Sequence, residues 1–274
     1  SDDGVYFSIE AYKNSGKTYG QLSHITARST SEARIHNDEY DKESVHDFVL
    51  WKTQKQDEPA WEFTLDGHDL KGRPGWHIEC SAMSTCSLGQ PFDIHTGGID
   101  MVFPHLENEI AQSTAGKADP VYANIFAYNE HLLVDGEKMS KSLGNFYTLE
   151  DIREKGFDPL AFRLLALQAH YRSQANFSWE NLQAAKNRLA DLRAMAALRW
   201  QPRSVAYASG TEALEDISTE LIAILSNDLN TPEGLAYLSR VTTQLLTVHV
   251  EKDMIGEFKT MLEGLDDVLG LQLM

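Results

Sequence analysis

Cys80, His105 and Glu109 offer a thiolate, an imidazole and a carboxylate, a donor set that makes a plausible zinc shell. His105 and Glu109 are four residues apart and so share one face of any helix they lie on. Further along, Lys138-Met139-Ser140-Lys141-Ser142 sets two ammonium groups three residues apart among small hydroxyl residues, with Gly136 before and Gly144 after. Such a loop can close over phosphates and place point charges where negative charge develops. On residue type alone, a buried cysteine with an unrelated histidine and glutamate, and a solvated lysine turn, are the commoner outcomes.

The elements around these residues must position them. Val5-Tyr6-Phe7-Ser8-Ile9 is β-branched and aromatic and predicts a small strand, with a turn region containing Gly and Asn before Tyr19-Gly20-Gln21-Leu22-Ser23. Residues 28–41 have almost no apolar side chains and predict a solvated loop or exposed helix, after which Val45-His46-Asp47-Phe48-Val49-Leu50-Trp51 predicts a strand or a short helix end. Asp66-Gly67 and Lys71-Gly72-Arg73-Pro74-Gly75 form a turn-rich lead, whose glycines permit positive φ, into a helix over 76–88. Phe92-Asp93-Ile94-His95 predicts a buried strand ending in Thr96-Gly97-Gly98, as in an α/β layer where ligands bind at strand C-termini. Pro104 fits the first turn of a helix to about residue 113, and 121–128 is the next strand. Leu132-Leu133-Val134, a turn at Asp135-Gly136 and the lysine loop follow.

This strand, helix, strand order suggests half of a parallel sheet. From Thr148, a possible N-cap, the period becomes helical, with Leu160, Leu164 and Leu167 recurring. Further helices are predicted over 178–198, 211–225, 232–250 and 254–269. Thr231 is placed to cap the third of these, with Pro232 at its first position and Glu233 near the positive end of its dipole. Residues 201–210 read as a loose linker. The fold class is α/β followed by an α-helical bundle.

With 274 residues and 42% hydrophobic composition the chain can bury a sizeable core, and no run approaches the roughly 18 apolar residues a membrane span needs. The cytoplasm is the expected compartment. Only two cysteines occur, Cys80 and Cys86, too few and too close for a disulfide framework; Cys86 is expected to be a small buried hydrophobe. A net charge of −17 argues against non-specific nucleic-acid binding through overall charge, so any nucleic acid must be met by a local patch. The chain opens on Ser1, and Asp2-Asp3-Gly4 reads as a loop entering a strand, which suggests a fragment or a processed chain.

Lys138 to Ser142 with the flanking Leu143-Gly144-Asn145 resembles the second signature of class I aminoacyl-tRNA synthetases. Gly72-Arg73-Pro74-Gly75-Trp76-His77-Ile78-Glu79-Cys80-Ser81-Ala82-Met83, with Phe103-Pro104-His105-Leu106-Glu107-Asn108-Glu109, resembles the cysteinyl-tRNA synthetase family. The likeness extends to His170-Tyr171-Arg172-Ser173 and Asn230-Thr231-Pro232-Glu233. It implies a zinc ion that binds the thiolate of substrate cysteine, with Cys80, His105 and Glu109 as three of its four protein ligands. It implies an adenylate pocket in which His95 lines the site, Gly97 and Gly98 let backbone approach the nucleotide, and Asp100 accepts from ribose hydroxyls. Trp76 would lie beside the bound amino acid, a core tryptophan being the alternative, and Lys138 and Lys141 would bind ATP, with magnesium, and stabilise pyrophosphate departure.

The resemblance further implies the second half of a Rossmann-like class I synthetase catalytic domain with a small inserted subdomain. Residues 1–60 would be a connective insert, 61–147 the half-domain with zinc site and lysine loop, and 148–274 the bundle. L-cysteine, ATP and tRNA(Cys) are the partners it implies, on a monomer. The pattern also departs from the family. No His-x-Gly-His signature occurs, no cysteine precedes Cys80 to serve as fourth ligand, and the chain stops before the family's anticodon-reading end, so the chain alone is expected to be inactive. Leu106 stands where the family has a second histidine, and Phe126-Ala127-Tyr128 where it has Trp-x-His. A ligase joining cysteine to an amino-sugar, or a non-catalytic paralogue, are the other readings.

Overall fold

The computed structural model describes residues 4–23, 47–116, 121–203 and 214–274. The loop expected over 28–41, the residues before Gly4, and the part of the expected linker and helix start that falls on 204–213 lie outside them. The chain forms two compact units, residues 1–129 and 130–274.

In the first unit, β1 (Gly4–Phe7) is followed by α1 (Ile9–Asn14), β2 (Phe48–Thr53), β3 (Thr64–Leu65), β4 (His68–Asp69), β5 (Gly72–Pro74), α2 (Trp76–Leu88), β6 (Phe92–Gly98), α3 (Glu107–Thr114) and β7 (Ala123–Asn129). Strands β1, β2 and β5 make an antiparallel sheet. The short helix α1 replaces the expected turn, because Ser8 accepts from the amide of Ala11 as its cap, Glu10 and Lys13 complement its dipole, and Ile9 and Tyr12 give it a buried face. Ile9, Tyr12 and Phe48 pack with Ala111, which ties this part to α3.

The turn between β3 and β4 puts Asp66 and Gly67 at φ 51° and 78°, but Gly72 and Gly75 do not take positive φ. They are glycines because of close approach: a Cβ on Gly72 would meet the carbonyl oxygen of Lys52, and one on Gly75 that of Val49. Gly75 thereby sets α2 directly against β2. Strands β6 and β7 pair in parallel from Phe92↔Ala123 to Gly98↔Asn129, with α3 between them in sequence. Regular helix begins at Glu107, later than Pro104 suggested, because Val102–Leu106 forms a wider π turn in which Phe103 is extended (φ −132°, ψ 131°). Phe92, Ile110, Tyr122 and Ala123 bury one side of this layer.

The second unit begins with β8 (Leu132–Val134), β9 (Glu137–Lys138), α4 (Leu149–Glu154), α5 (Pro159–Leu167) and β10 (Ala175–Phe177), and continues with α6 (Trp179–Ala197), α7 (Leu214–Ser226), α8 (Thr231–Val248) and α9 (Ile255–Leu269). Strand β10 pairs in parallel with β8, and β9 folds back on β8 through Asp135 (φ 51°) and Gly136 (φ 81°), a hairpin that opens the lysine loop. Thr148 caps α4 with a reciprocal bond from Asp151, as its position suggested. Helix α8 is capped one residue earlier than expected: the amide of Glu233 donates to Asn230 Oδ1 at 3.3 Å and Asn230 Nδ2 returns a bond to Glu233 Oε2 at 2.7 Å, so Thr231 is its first residue and Pro232 its second. Leu164, Leu182, Leu189, Met195, Phe258 and Leu262 are central to one continuous core.

Candidate metal and nucleotide site

Helix α2 carries Cys80, the π turn carries His105, and α3 carries Glu109. Their ligand atoms lie within 4.8 Å of one another, and they are the one such group among the described residues. His105 and Glu109 are 3% and 0% exposed. His105 Nε2 comes within 2.5 Å of Glu109 Oε1, an oxygen that has no hydrogen-bond partner. Two acceptor atoms come this close only with a proton between them; a cation bound to both would take the place of that proton and hold the two atoms further apart. With a soft sulfur beside them, this donor set fits a thiophilic divalent cation.

The charges agree with that reading. Burial pushes the Glu109 carboxyl up, but the nearby His105 and His95 outweigh it and hold it below its ordinary value, so it stays ionised. Burial, followed by the carboxylates of Glu109 and Glu79, pushes the Cys80 thiol up, so without a cation Cys80 is a thiol. The second oxygen of Glu109 is held by His95 Nε2 at 2.6 Å and by the Tyr122 hydroxyl at 3.2 Å. Tyr122 shares a 2.6 Å hydrogen bond with Ser84 on α2, and burial pushes its phenol up to about 12, so it serves as a donor. Tyr122, Ser84 and His77, whose Nδ1 lies 2.7 Å from His105 Nδ1, were not singled out from the sequence, since those contacts join residues 28 and 38 positions apart and only the His77 segment carried a motif.

Trp76 is not a core residue. It is 58% exposed, and its ring lies over that of His105 with centroids 4.1 Å apart. His95 sits on β6 and is engaged with Glu109, which places it beside the metal group. Gly97 and Gly98 end β6, the C-terminal edge where the parallel layer would receive a ligand, and Asp100 follows on an exposed turn. A Cβ on Gly98 would run into the Asp100 carboxylate, so this glycine is what lets Asp100 fold back over the strand end. Leu106 is buried in the core at 1% exposure. Cys86 is exposed, against the expectation of a buried hydrophobe, because it lies on the outward face of α2, whose inward face carries buried Ser81 and half-buried His77, Ile78, Cys80, Ser84 and Thr85.

Lys138 and Lys141 belong to the second unit and are both exposed. Their loop is closed by Asn145, whose Oδ1 accepts from the Ser140 amide at 2.8 Å while its Nδ2 donates to the Lys138 carbonyl at 3.1 Å. Ser140 and Ser142 share a hydroxyl hydrogen bond at 2.7 Å, and Lys141 Nζ lies 5.6 Å from the centre of the Phe146 ring. Both ammonium groups therefore leave an ordered loop toward solvent.

Residues 1–187 match the family described as tRNA synthetases class I (C) catalytic domain. The chain belongs to that family. Among its relatives, the cysteine–tRNA ligase of Chlamydia muridarum is 39% identical over 289 residues, covering 98% of this chain and 59% of that protein. The cysteine–tRNA ligase of Chlamydia trachomatis is 44% identical over 244 residues, 86% of this chain and 49% of its own length. The chain thus spans about half the length of the curated relatives it matches. Among solved structures, the ternary LeuRS–tRNA–LeuAMS complex from Agrobacterium radiobacter aligns with a TM-score of 0.57 at 16% identity, over 77% of this chain and 33% of that one. That likeness shows the fold, a class I synthetase α/β layer followed by helices. No helix among the described residues is long and apolar enough to cross a membrane.

Proposed function

We propose that this class I synthetase chain is the second half of the catalytic domain, with the helical bundle, of a cysteine:tRNA ligase that activates cysteine with ATP and passes it to tRNA(Cys). The observation that carries the reading is the trio of half-buried Cys80 and buried His105 and Glu109, with ligand atoms within 4.8 Å, in a chain at 39% and 44% identity to cysteine–tRNA ligases. Zinc held by these three side chains and a fourth ligand would supply a soft Lewis acid that accepts a substrate thiolate far better than a hydroxyl, which separates cysteine from serine without editing.

The protein's own residues do the rest in this account. Trp76, exposed over the His105 ring, flanks the amino acid. His95 holds Glu109 from behind and lines the edge of the adenylate pocket, where Gly97 and Gly98 admit the nucleotide and Asp100 accepts from the ribose. Lys138 and Lys141 bind ATP with its magnesium and neutralise the pyrophosphate as it leaves. The division into a connective insert (1–60), the half-domain (61–147) and the bundle (148–274), the monomeric state and a cytoplasmic place belong to the same proposal. Cysteine-dependent ATP/pyrophosphate exchange by the protein as the cell makes it is the test. Exchange that requires cysteine and fails with serine supports the reading, and its absence overturns it.

A further inference from the structure

The zinc reading leaves open why His105 would present the correct nitrogen to a metal. His105 faces Glu109 with Nε2, so Nε2 is the nitrogen turned toward the ligand group. A ligating imidazole is neutral, which puts its one proton on Nδ1, and that proton needs an acceptor. The atom at hand is His77 Nδ1, 2.7 Å from His105 Nδ1. Two ring nitrogens at that distance share a single proton. If His105 donates it, His77 must accept, which puts the proton of His77 on its own Nε2.

His77 is built to hold that orientation. It lies on α2 three residues before Cys80, so the same helix delivers a metal ligand and the partner of another. Its backbone carbonyl accepts from Gln112 Nε2 at 2.5 Å, which binds α2 to α3 at this level. The Phe48 ring meets the imidazole edge-on (5.7 Å, 88°). Charge explains why an imidazole suits this place better than the carboxylate often found behind a metal-bound histidine. A divalent cation is already balanced by the Cys80 thiolate and the Glu109 carboxylate, and a substrate thiolate would add a further negative charge. A neutral acceptor at 77 orients His105 without adding another.

We propose that His77 is a positioning residue: through a neutral imidazole-to-imidazole hydrogen bond it fixes the tautomer and ring plane of His105, so that the Nε2 lone pair is presented beside Cys80 Sγ and Glu109 Oε1. The inference rests on the zinc reading above.

The test uses the 274-residue chain, zinc affinity by chelator competition, and the absorption bands of the cobalt-substituted protein. His77→Phe keeps a ring of similar shape and removes the acceptor. It is expected to weaken zinc about 10- to 100-fold and to alter the cobalt bands. His77→Asn restores an acceptor near the Nδ1 position and is expected to return both close to wild type, a rescue that a purely space-filling role would not produce. If His77→Phe does not fold, His77→Ala takes its place with the same readouts. Wild-type affinity in the variant lacking the acceptor, or failure of His77→Asn to rescue, overturns the inference alone. A wild-type chain that takes up no zinc overturns the zinc reading and this inference with it.

Discussion

Asn145 holds the lysine loop from both sides, accepting from Ser140 and donating to the carbonyl of Lys138. Each bond of this kind contributes on the order of 1 kcal/mol. Asn145→Ala is therefore expected to raise the exchange rate of the Ser140 amide about tenfold by hydrogen-exchange measurement; unchanged protection would show that the loop is held by other means. Lys141→Ala in a form of the protein that catalyses ATP/pyrophosphate exchange is expected to slow exchange while cysteine binding persists, the signature of a group acting mainly in the transition state. Equal losses in both would place Lys141 in ground-state binding. The trio Cys80, His105 and Glu109 was picked out by the match of its two segments to the family's motifs; residue type alone favoured an unrelated cysteine, and the i, i+4 spacing accounted only for His105 and Glu109 sharing a face. Tyr122 and His77 were not legible in these roles, since a tyrosine in a strand segment and a histidine in a helix acquire them only when α2, α3 and β7 meet.

Helix starts decide where several of these groups end up. The carboxylate of Asp158 caps α5 through the Leu160 amide at 2.9 Å and pairs with Arg193 at 2.8 Å. Those interactions, the backbone bond first, hold its carboxyl below the usual aspartate value. A lowered folded-state value means the contribution is present above the unfolded aspartate pKa, about 3.9, and is lost as pH falls through the lower folded value. Asp158→Ala is expected to cost about 1 kcal/mol at pH 7 by thermal unfolding, and the difference from wild type should shrink below about pH 4. A pH-independent difference would contradict the capping role. At Gly75, a Cβ would meet the Val49 carbonyl at the start of α2. Gly75→Ala should cost about 1–3 kcal/mol and also weaken zinc, because α2 carries both His77 and Cys80; a stable variant with wild-type zinc affinity would show that the start of α2 can shift freely. Most helices were legible from period and caps. The start of α8 was read one residue late because Asn230 and Thr231 are both good caps, and only the Asn230 bond to Glu233 decides between them. Helix α1 was missed because its six residues carry too little periodicity to stand out.

The molecule as a whole joins an α/β layer to a helical bundle, and that order could be read from the sequence, where strand-like runs give way to helical spacing at Thr148. The pairing of β1, β2 and β5 could not, since it joins strands across a long stretch of sequence and depends on Gly72 and Gly75 admitting the neighbouring backbone. With a net charge of −17, the chain must meet any tRNA through local cations rather than through its overall field. The most direct measurement is the zinc content of the purified protein. Stoichiometric zinc is expected in the wild type, and zinc is expected to be lost from Cys80→Ser and from His105→Ala while both keep their helical content. A metal-free wild type, or zinc retained in full by both variants, would rule out a zinc site at Cys80, His105 and Glu109.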